Sequence, residues 1–241
     1  MKKLFTLFLT VVLSACSSDS DETNNNSSEN ILLRKAISTN QFGTITSYIY
    51  YDNNKILYEK EVETGQISET YYEHYTYQGD KIIKIERKDI NNNPTGEYSL
   101  FNYTNDKLTQ AIRYYDFNIE SISNYNHLSN SLIICTVDNG TSPNDTYRLF
   151  FDSNFNMIKE EFSASHFITY TYDNYNNPAK NIVGFEALSI LGGGFRNNIL
   201  TESESANGQT YNNNYSYQYN NQNYPVVVTD DEGYVNQYFY E

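Results

Sequence analysis

The chain has no tryptophan, three histidines, two cysteines and only 16 basic residues against 30 acidic ones. Each scarcity excludes something. Two cysteines, Cys16 and Cys135, build no disulfide framework and stand in no zinc-site pattern. His74, His127 and His166 are not at metal-ligand spacing from one another or from a cysteine. A net charge of −14 with no basic patch repels phosphates, which excludes nucleic acid as a partner. A helix needs about 20 apolar residues to cross a bilayer. The run Leu4 to Leu13 is half that and is interrupted by Thr6 and Thr10. No Gly-x-Ser-x-Gly elbow is present. Gly192-Gly193-Gly194 lacks the Gly-Lys-Ser/Thr ending of a phosphate loop and reads as a connector. Asp152-x-Asn154-x-Asn156 has the opening spacing of a calcium loop, but Met157 takes the glycine place and Ser163 the place of the bidentate glutamate. It reads as a turn, as does Asp230-Asp231-Glu232 before Gly233. No metal, cofactor or catalytic residue is expected, and whether the chain is an enzyme stays open.

Tyrosine is what the chain has in quantity, 25 residues of it. Much of it falls in a repeat. Tyr48-Ile49-Tyr50-Tyr51-Asp52-Asn53-Asn54-Lys55-Ile56 is followed by Tyr75-Thr76-Tyr77-Gln78-Gly79-Asp80-Lys81-Ile82 and by Phe101-Asn102-Tyr103-Thr104-Asn105-Asp106-Lys107-Leu108. Weaker copies continue to the end of the chain. The last aromatic before each polar turn, or His127, serves as an anchor. Anchors fall at 51, 77, 103, 127, 151, 172 and 219, and Phe195, inside the one long gap, is read as a degenerate eighth.

Before each anchor, apolar residues alternate with polar ones, the mark of a half-buried strand. After it, Asn, Asp and Gly make a turn, and a second strand runs out. Each unit is therefore one hairpin. Eight hairpins predict an all-β antiparallel meander of about sixteen strands. A lone sheet must hide its aromatic face and both edges, which closure or near-closure into a barrel achieves. Phe185 to Leu191 breaks the rhythm with apolar residues at helical spacing. It predicts one short helix near 185–191 that plugs or caps an opening. Cys135, in the apolar strand Leu132 to Val137, reads as a small buried hydrophobe, and His127 as a packed core histidine.

The N-terminus carries an address. Met1-Lys2-Lys3 is basic, Leu4 to Leu13 is apolar, and Leu13-Ser14-Ala15-Cys16 supplies small residues before a cut, as in a secretory signal. With cysteine at the cut it resembles a bacterial lipoprotein signal, Leu-Ser-Ala-Cys being the lipobox. That resemblance implies that residues 1–15 are removed and that Cys16 carries lipid. Ser17, in place of aspartate, implies the outer membrane. Up to residue 30 nothing apolar offsets the entropy of ordering, so 16–30 reads as a lipidated cysteine and disordered tether. The tether reaches roughly 45–50 Å when extended. Its Asp19, Asp21 and Glu22 resemble the surface-export signal of Bacteroidota lipoproteins. Residues 31–241 read as a single repetitive β domain.

The Tyr-x-Tyr-Asp-x-x-Asn-x-Pro pattern at Tyr170 to Pro178 is followed by Lys180-Asn181-Ile182, the apolar segment, Asn197-Asn198, and Tyr215 to Pro225. Together these resemble a Bacteroidota lipoprotein family of unknown function with a porin-like fold. Tyr51-Asp52 and Tyr172-Asp173 also resemble the tyrosine–aspartate repeats of Rhs shell proteins. Polar residues such as His74, Asn102 and Arg148 on the non-anchor face imply a barrel in water rather than one spanning a membrane.

Tyrosines off the anchor phase, Tyr48, Tyr50, Tyr72 and Tyr98, are the candidate ligand-binding residues. Their rings suit sugars, and they equally suit plain cross-strand ladders. The sequence thus predicts a lipid-anchored surface protein that binds an extracellular glycan or peptide. An accessory subunit of an outer-membrane complex is the alternative, and a hydrolase a third reading.

Overall fold

A computed structural model describes residues 31–66, 68–140, 144–191 and 196–241. Residues 1–15, predicted as a signal peptide, Cys16, the predicted tether, Gly192 to Gly194 and Phe195 lie outside the described residues. Sixteen strands follow in chain order: β1 (Leu33–Asn40), β2 (Gly43–Asp52), β3 (Lys55–Gly65), β4 (Glu69–Gln78), β5 (Lys81–Asp89), β6 (Pro94–Thr104), β7 (Lys107–Tyr115), β8 (Asn118–His127), β9 (Leu132–Asp138), β10 (Asp145–Phe151), β11 (Met157–Ser163), β12 (His166–Tyr172), β13 (Ile199–Ala206), β14 (Gln209–Tyr219), β15 (Pro225–Asp230) and β16 (Val235–Tyr240). Every strand pairs antiparallel with its chain neighbours, and β1 pairs with β16, so the sheet is a closed barrel. Closure leaves no strand edge to be protected.

The expected eighth anchor at Phe195 is corrected by the register. Tyr172 at the end of β12 pairs with Ile199 at the start of β13, so the long gap is one hairpin with residues 173–198 inserted in its turn. The eighth unit instead spans the two ends of the described chain. Tyr240 is its anchor, β16 its incoming strand and β1 its outgoing strand, with Tyr240 opposite Leu33. Leu32 and Glu241 exchange backbone hydrogen bonds of 2.8 and 3.0 Å, and Arg34 pairs with Glu241 at 3.1 Å.

Seven of the eight units share one irregularity. Tyr51 pairs with Ile56, but Tyr50 pairs with Tyr58, which leaves Leu57 as a bulge. The same shift follows Tyr77, Tyr103, Phe151, Tyr172, Tyr219 and Tyr240. A bulge turns the following side chains to the opposite face and sharpens the local twist. The anchors then tie unit to unit. The hydroxyls of Tyr51, Tyr103, Tyr172 and Tyr240 donate to the carbonyls of Leu33, Ile82, Met157 and Pro225, at 2.6–2.8 Å. Each of those carbonyls belongs to the first inward residue of the preceding unit. His127 makes the same contact with Leu108 O through Nε2 at 2.7 Å, which is why a histidine can replace tyrosine there.

The anchor face is the inner face. Residues 173–191 and 196–198 of the insertion lie across the end of the barrel that carries the anchor turns. Its helical part, α1 (Phe185–Leu188) continued by a tight turn Ser189–Leu191, stands where the sequence predicted a helix. Leu188 and Ile190 join Ile82, Leu108, Ile133 and Phe151 in the main core cluster. Val183 N donates to Asn54 O at 2.9 Å, and Asn54 Nδ2 donates to Asn181 O at 3.2 Å, fastening the plug to the β2–β3 turn. Gly184 has φ +87°, and a Cβ there would stand 2.9 Å from Ile82 Cγ1, so only glycine fits. At the opposite end, inward residues such as Glu97, Ser99, Ser123 and Tyr215 are half-exposed. The barrel is a cup with an apolar floor and a solvent-reached mouth.

Candidate functional site

Period two sends the residues between the anchors outward. Thr46, Tyr48 and Tyr50 of β2 therefore face away from the core, as do Tyr72 and His74 of β4. Counting by twos from buried Ile56 would put Tyr58 inside. The Leu57 bulge puts it outside, opposite Tyr50 and next to His74. The result is a continuous aromatic patch on β2, β3 and β4. Tyr50 and Tyr58 stack at 4.4 Å between centroids, Tyr58 meets His74 at 5.6 Å and Tyr72 at 6.0 Å, and Tyr72 meets His74 at 6.4 Å. Partial burial together with nearby Lys88 lowers the His74 pKa, which keeps the ring neutral at physiological pH.

Of the four residues predicted from sequence, Tyr50 and Tyr72 share this patch. Tyr48 is one alternation along on β2, 36% exposed, with Lys35 Nζ 5.4 Å from its ring centre. Tyr98 stands apart on β6. It stacks on Tyr114 of β7 at 4.2 Å and carries Lys84 Nζ 4.9 Å from its centroid, so both neighbours compete for its faces. The most open ring of the patch is Tyr50, 42% exposed. Tyr58 and Tyr114 escaped the sequence reading because the bulges set their side, and a bulge leaves no residue signature of its own here; His74 was placed on the outer face but not joined to the tyrosines.

The other motifs resolve as structure. Asp152 Oδ1 accepts the N–H groups of Asn154 and Asn156 at 2.8 and 2.9 Å, and Oδ2 accepts Asn156 Nδ2. The carboxylate closes a turn. Asp89 and Asp230 do the same for residues two and four places on. Cys135 is buried beside Tyr125, and burial pushes its thiol up to about 12, an inert state. His166 hydrogen-bonds Glu204 at 2.9 Å and packs on Phe162. Among the described residues no group of three acidic, His or Cys side chains is arranged to hold a metal ion.

No family model and no curated protein matches the chain. Solved structures resemble it, among them two porin-like proteins. A porin-like protein from Bacteroides uniformis ATCC 8492 aligns at TM-score 0.43 and 10% identity over 87% of this chain and 98% of that one. A porin-like protein from Bacteroides vulgatus ATCC 8482 aligns at TM-score 0.56 and 13% identity over the same shares. The second likeness shows that this chain has the fold of a porin-like barrel.

Proposed function

We propose that this chain is a lipid-anchored, surface-displayed protein of the outer membrane that binds an extracellular glycan through its outward tyrosine patch, without catalysis. An extended peptide is the second ligand class suited to the same rings. The observation that carries the reading is the joining of Tyr50, Tyr58, Tyr72 and His74 into one outward surface across three strands. Aromatic rings with hydroxyl edges offer a sugar both an apolar face and hydrogen bonds.

The outer wall supports a barrel in water. It carries Lys60, Lys84, Glu86, Lys88, Arg148 and Lys159, and each Lys or Arg facing lipid at the midplane of a membrane costs about 2–4 kcal/mol. The lipobox around Cys16 supports the anchor.

The test is a glycan array probed with the protein and with its Tyr50→Ala and Tyr58→Ala variants. Saturable binding that both variants lose supports the reading, and no binding to any glycan removes the sugar ligand. Radiolabelled fatty-acid incorporation that disappears in Cys16→Ala tests the anchor. One feature favours the accessory-subunit alternative. Ile90, Tyr115, Phe117 and Ile119, at neighbouring turns of the open rim, are 56–64% exposed, as expected of a protein contact.

A further inference from the structure

A cavity of about 520 Å³ lies at the plugged end, between the helical part of the plug and the turns that follow β4, β6, β8 and β10. Small-molecule sites have volumes of roughly 300–1,000 Å³. Leu108, Ala187 and Ile190 make part of its wall apolar, and Lys107, His127 and Phe155 line it too. At the last three the repeat is broken, in three different ways.

In three successive units a lysine opens the outgoing strand. Lys55 pairs with Asp80 of the next unit at 2.9 Å and lies 5.6 Å from the centre of the Tyr77 ring. Lys81 pairs with Asp106 and lies 5.7 Å from the centre of the Tyr103 ring. For Lys107 the acid is replaced by Asn130, whose Oδ1 accepts from Nζ at 3.3 Å, and the tyrosine by His127. Lys107 has no carboxylate partner among the described residues. The acids of the cavity are already matched, Asp80 by Lys55, Asp106 by Lys81 and Glu186 by Arg196 at 2.7 Å. The unmatched charge of the lining is therefore positive. His127 adds a second polar atom where tyrosine has one. Its Nε2 donates to Leu108 O, so in the neutral ring Nδ1 is an acceptor, and no donor among the described residues meets it.

Phe155 departs from a turn rule. Among the described residues, Asp89, Asp152, Asn220 and Asp230 each open a turn by accepting the N–H groups two and four residues on. The fourth residue of each turn is left-handed, and in three of them it is Asn92, Asn223 or Gly233. In the turn at Asp152 it is Phe155, with φ +63°. A bulky side chain is strained there, and such strain is kept where a site needs it. Phe151 stacks on the ring at 4.6 Å. Departures from a fold's local rules collect at functional sites, and here three of them meet at one cavity. We infer that the cavity binds a hexuronate, a sugar ring bearing a carboxylate. The carboxylate pairs with Lys107, a ring hydroxyl donates to His127 Nδ1, and the ring's CH face packs on Phe155. A neutral sugar leaves Lys107 unmatched, and an aromatic acid without hydroxyls leaves Nδ1 unmatched. A second hollow of about 940 Å³ shares Asn130, Phe155 and Glu186 with the first, which leaves room for the next unit of an acidic glycan. The site is separate from the outer tyrosine patch and does not rest on it.

The experiment is an NMR titration of the full chain with the sodium salts of glucuronic, galacturonic and mannuronic acid, with glucose and benzoate as comparisons. The inference expects saturable binding of at least one hexuronate, with glucose and benzoate weaker by about tenfold or more. Asn130→Asp, His127→Tyr and Phe155→Asn each install the residue that another unit or turn holds at that place, so each variant keeps the fold, which circular dichroism checks. Asn130→Asp gives Lys107 the carboxylate it lacks and lowers hexuronate affinity by about tenfold. Phe155→Asn lowers it by about threefold or more, through loss of the ring face. His127→Tyr serves as the test if Asn130→Asp does not fold. Tyr50→Ala, on the outer wall, leaves hexuronate binding unchanged, so failure of the tyrosine patch and failure of this site are told apart. The absence of hexuronate binding to the parent chain overturns the inference. So does equal binding of glucose or benzoate, or undiminished hexuronate binding by Asn130→Asp.

Discussion

The two ends of this barrel are built from the same strands and differ in almost everything else. At the plugged end the inward side chains are Ile56, Ile82, Leu108, Ile133 and Phe151, all under 4% exposed. At the open end the inward side chains include Glu63, Arg87, Ser99 and Ser123, and none of these is buried. Alternation decides which face a residue takes, and depth along the strand decides whether that face is core. In three units the change comes already three residues past the first inward position, where Glu59, Glu160 and Glu202 stand in the place that Ala36, Ile85, Ala111 and Val228 hold in four others. Stability is concentrated at one end.

Core deletions break the comparison most sharply. Ile82→Ala, at 0% exposure in the floor, is expected to cost about 2–5 kcal/mol in urea unfolding. Ser123→Ala, on the inner wall nearer the mouth, is expected to change stability by less than about 0.5 kcal/mol. Equal costs would mean that the cup has no soft end. Gly184→Ala should cost about 1–3 kcal/mol, because it strains a left-handed backbone and drives a methyl into Ile82.

A pH series separates the ends in a second way. Glu59 and Glu73 sit at about 8 and 7 in the folded chain against an ordinary 4.5. The folded state therefore binds more protons than the unfolded state across that window, and stability falls as pH rises from about 4.5 to about 8. Urea midpoints at pH 5 and pH 9 should show this fall in the parent chain, with a shallower slope in Glu59→Gln. A slope untouched by that change would assign the effect elsewhere.

Tyr103→Phe removes one tie between units and should cost about 0.5–1.5 kcal/mol, with the barrel retained. The smallest effect belongs to an exposed ion pair at the anchor turns. Lys55 pairs with Asp80 at 2.9 Å on the surface, and Lys55→Ala should cost about 0–1 kcal/mol, less at high salt.

The repeat was legible because hairpins alternate with a period of two and their turns demand Asn, Asp or Gly. The plug was legible because helical spacing interrupts that pattern at Phe185. The eighth unit was misplaced at Phe195 because its two strands lie at opposite ends of the described chain, and a scan for neighbours along the sequence cannot join Tyr240 to Leu33. Tyr58 was missed for a local reason, since the single extra residue Leu57 reverses its side. Tyr48, Tyr50 and Tyr72 could be placed on the outer face because β2 and β4 run unbroken up to their anchors. Tyr98 was placed the same way, but its distance from the others was hidden, because the breadth of a patch depends on how strands are ordered around the barrel.

The sequence by itself determined the class of fold, the number of strands, the inward anchors and the helical plug, because each follows from a periodicity or a turn chemistry that acts within a few residues. Only the tertiary structure decided that the sheet closes through β1 and β16, which tyrosines gather on the outer wall, and which glutamates face one another in the cup. Those outcomes depend on bulges and on register between strands. Both are set by how the whole barrel packs around its plug, and neither is written in any single segment of the chain.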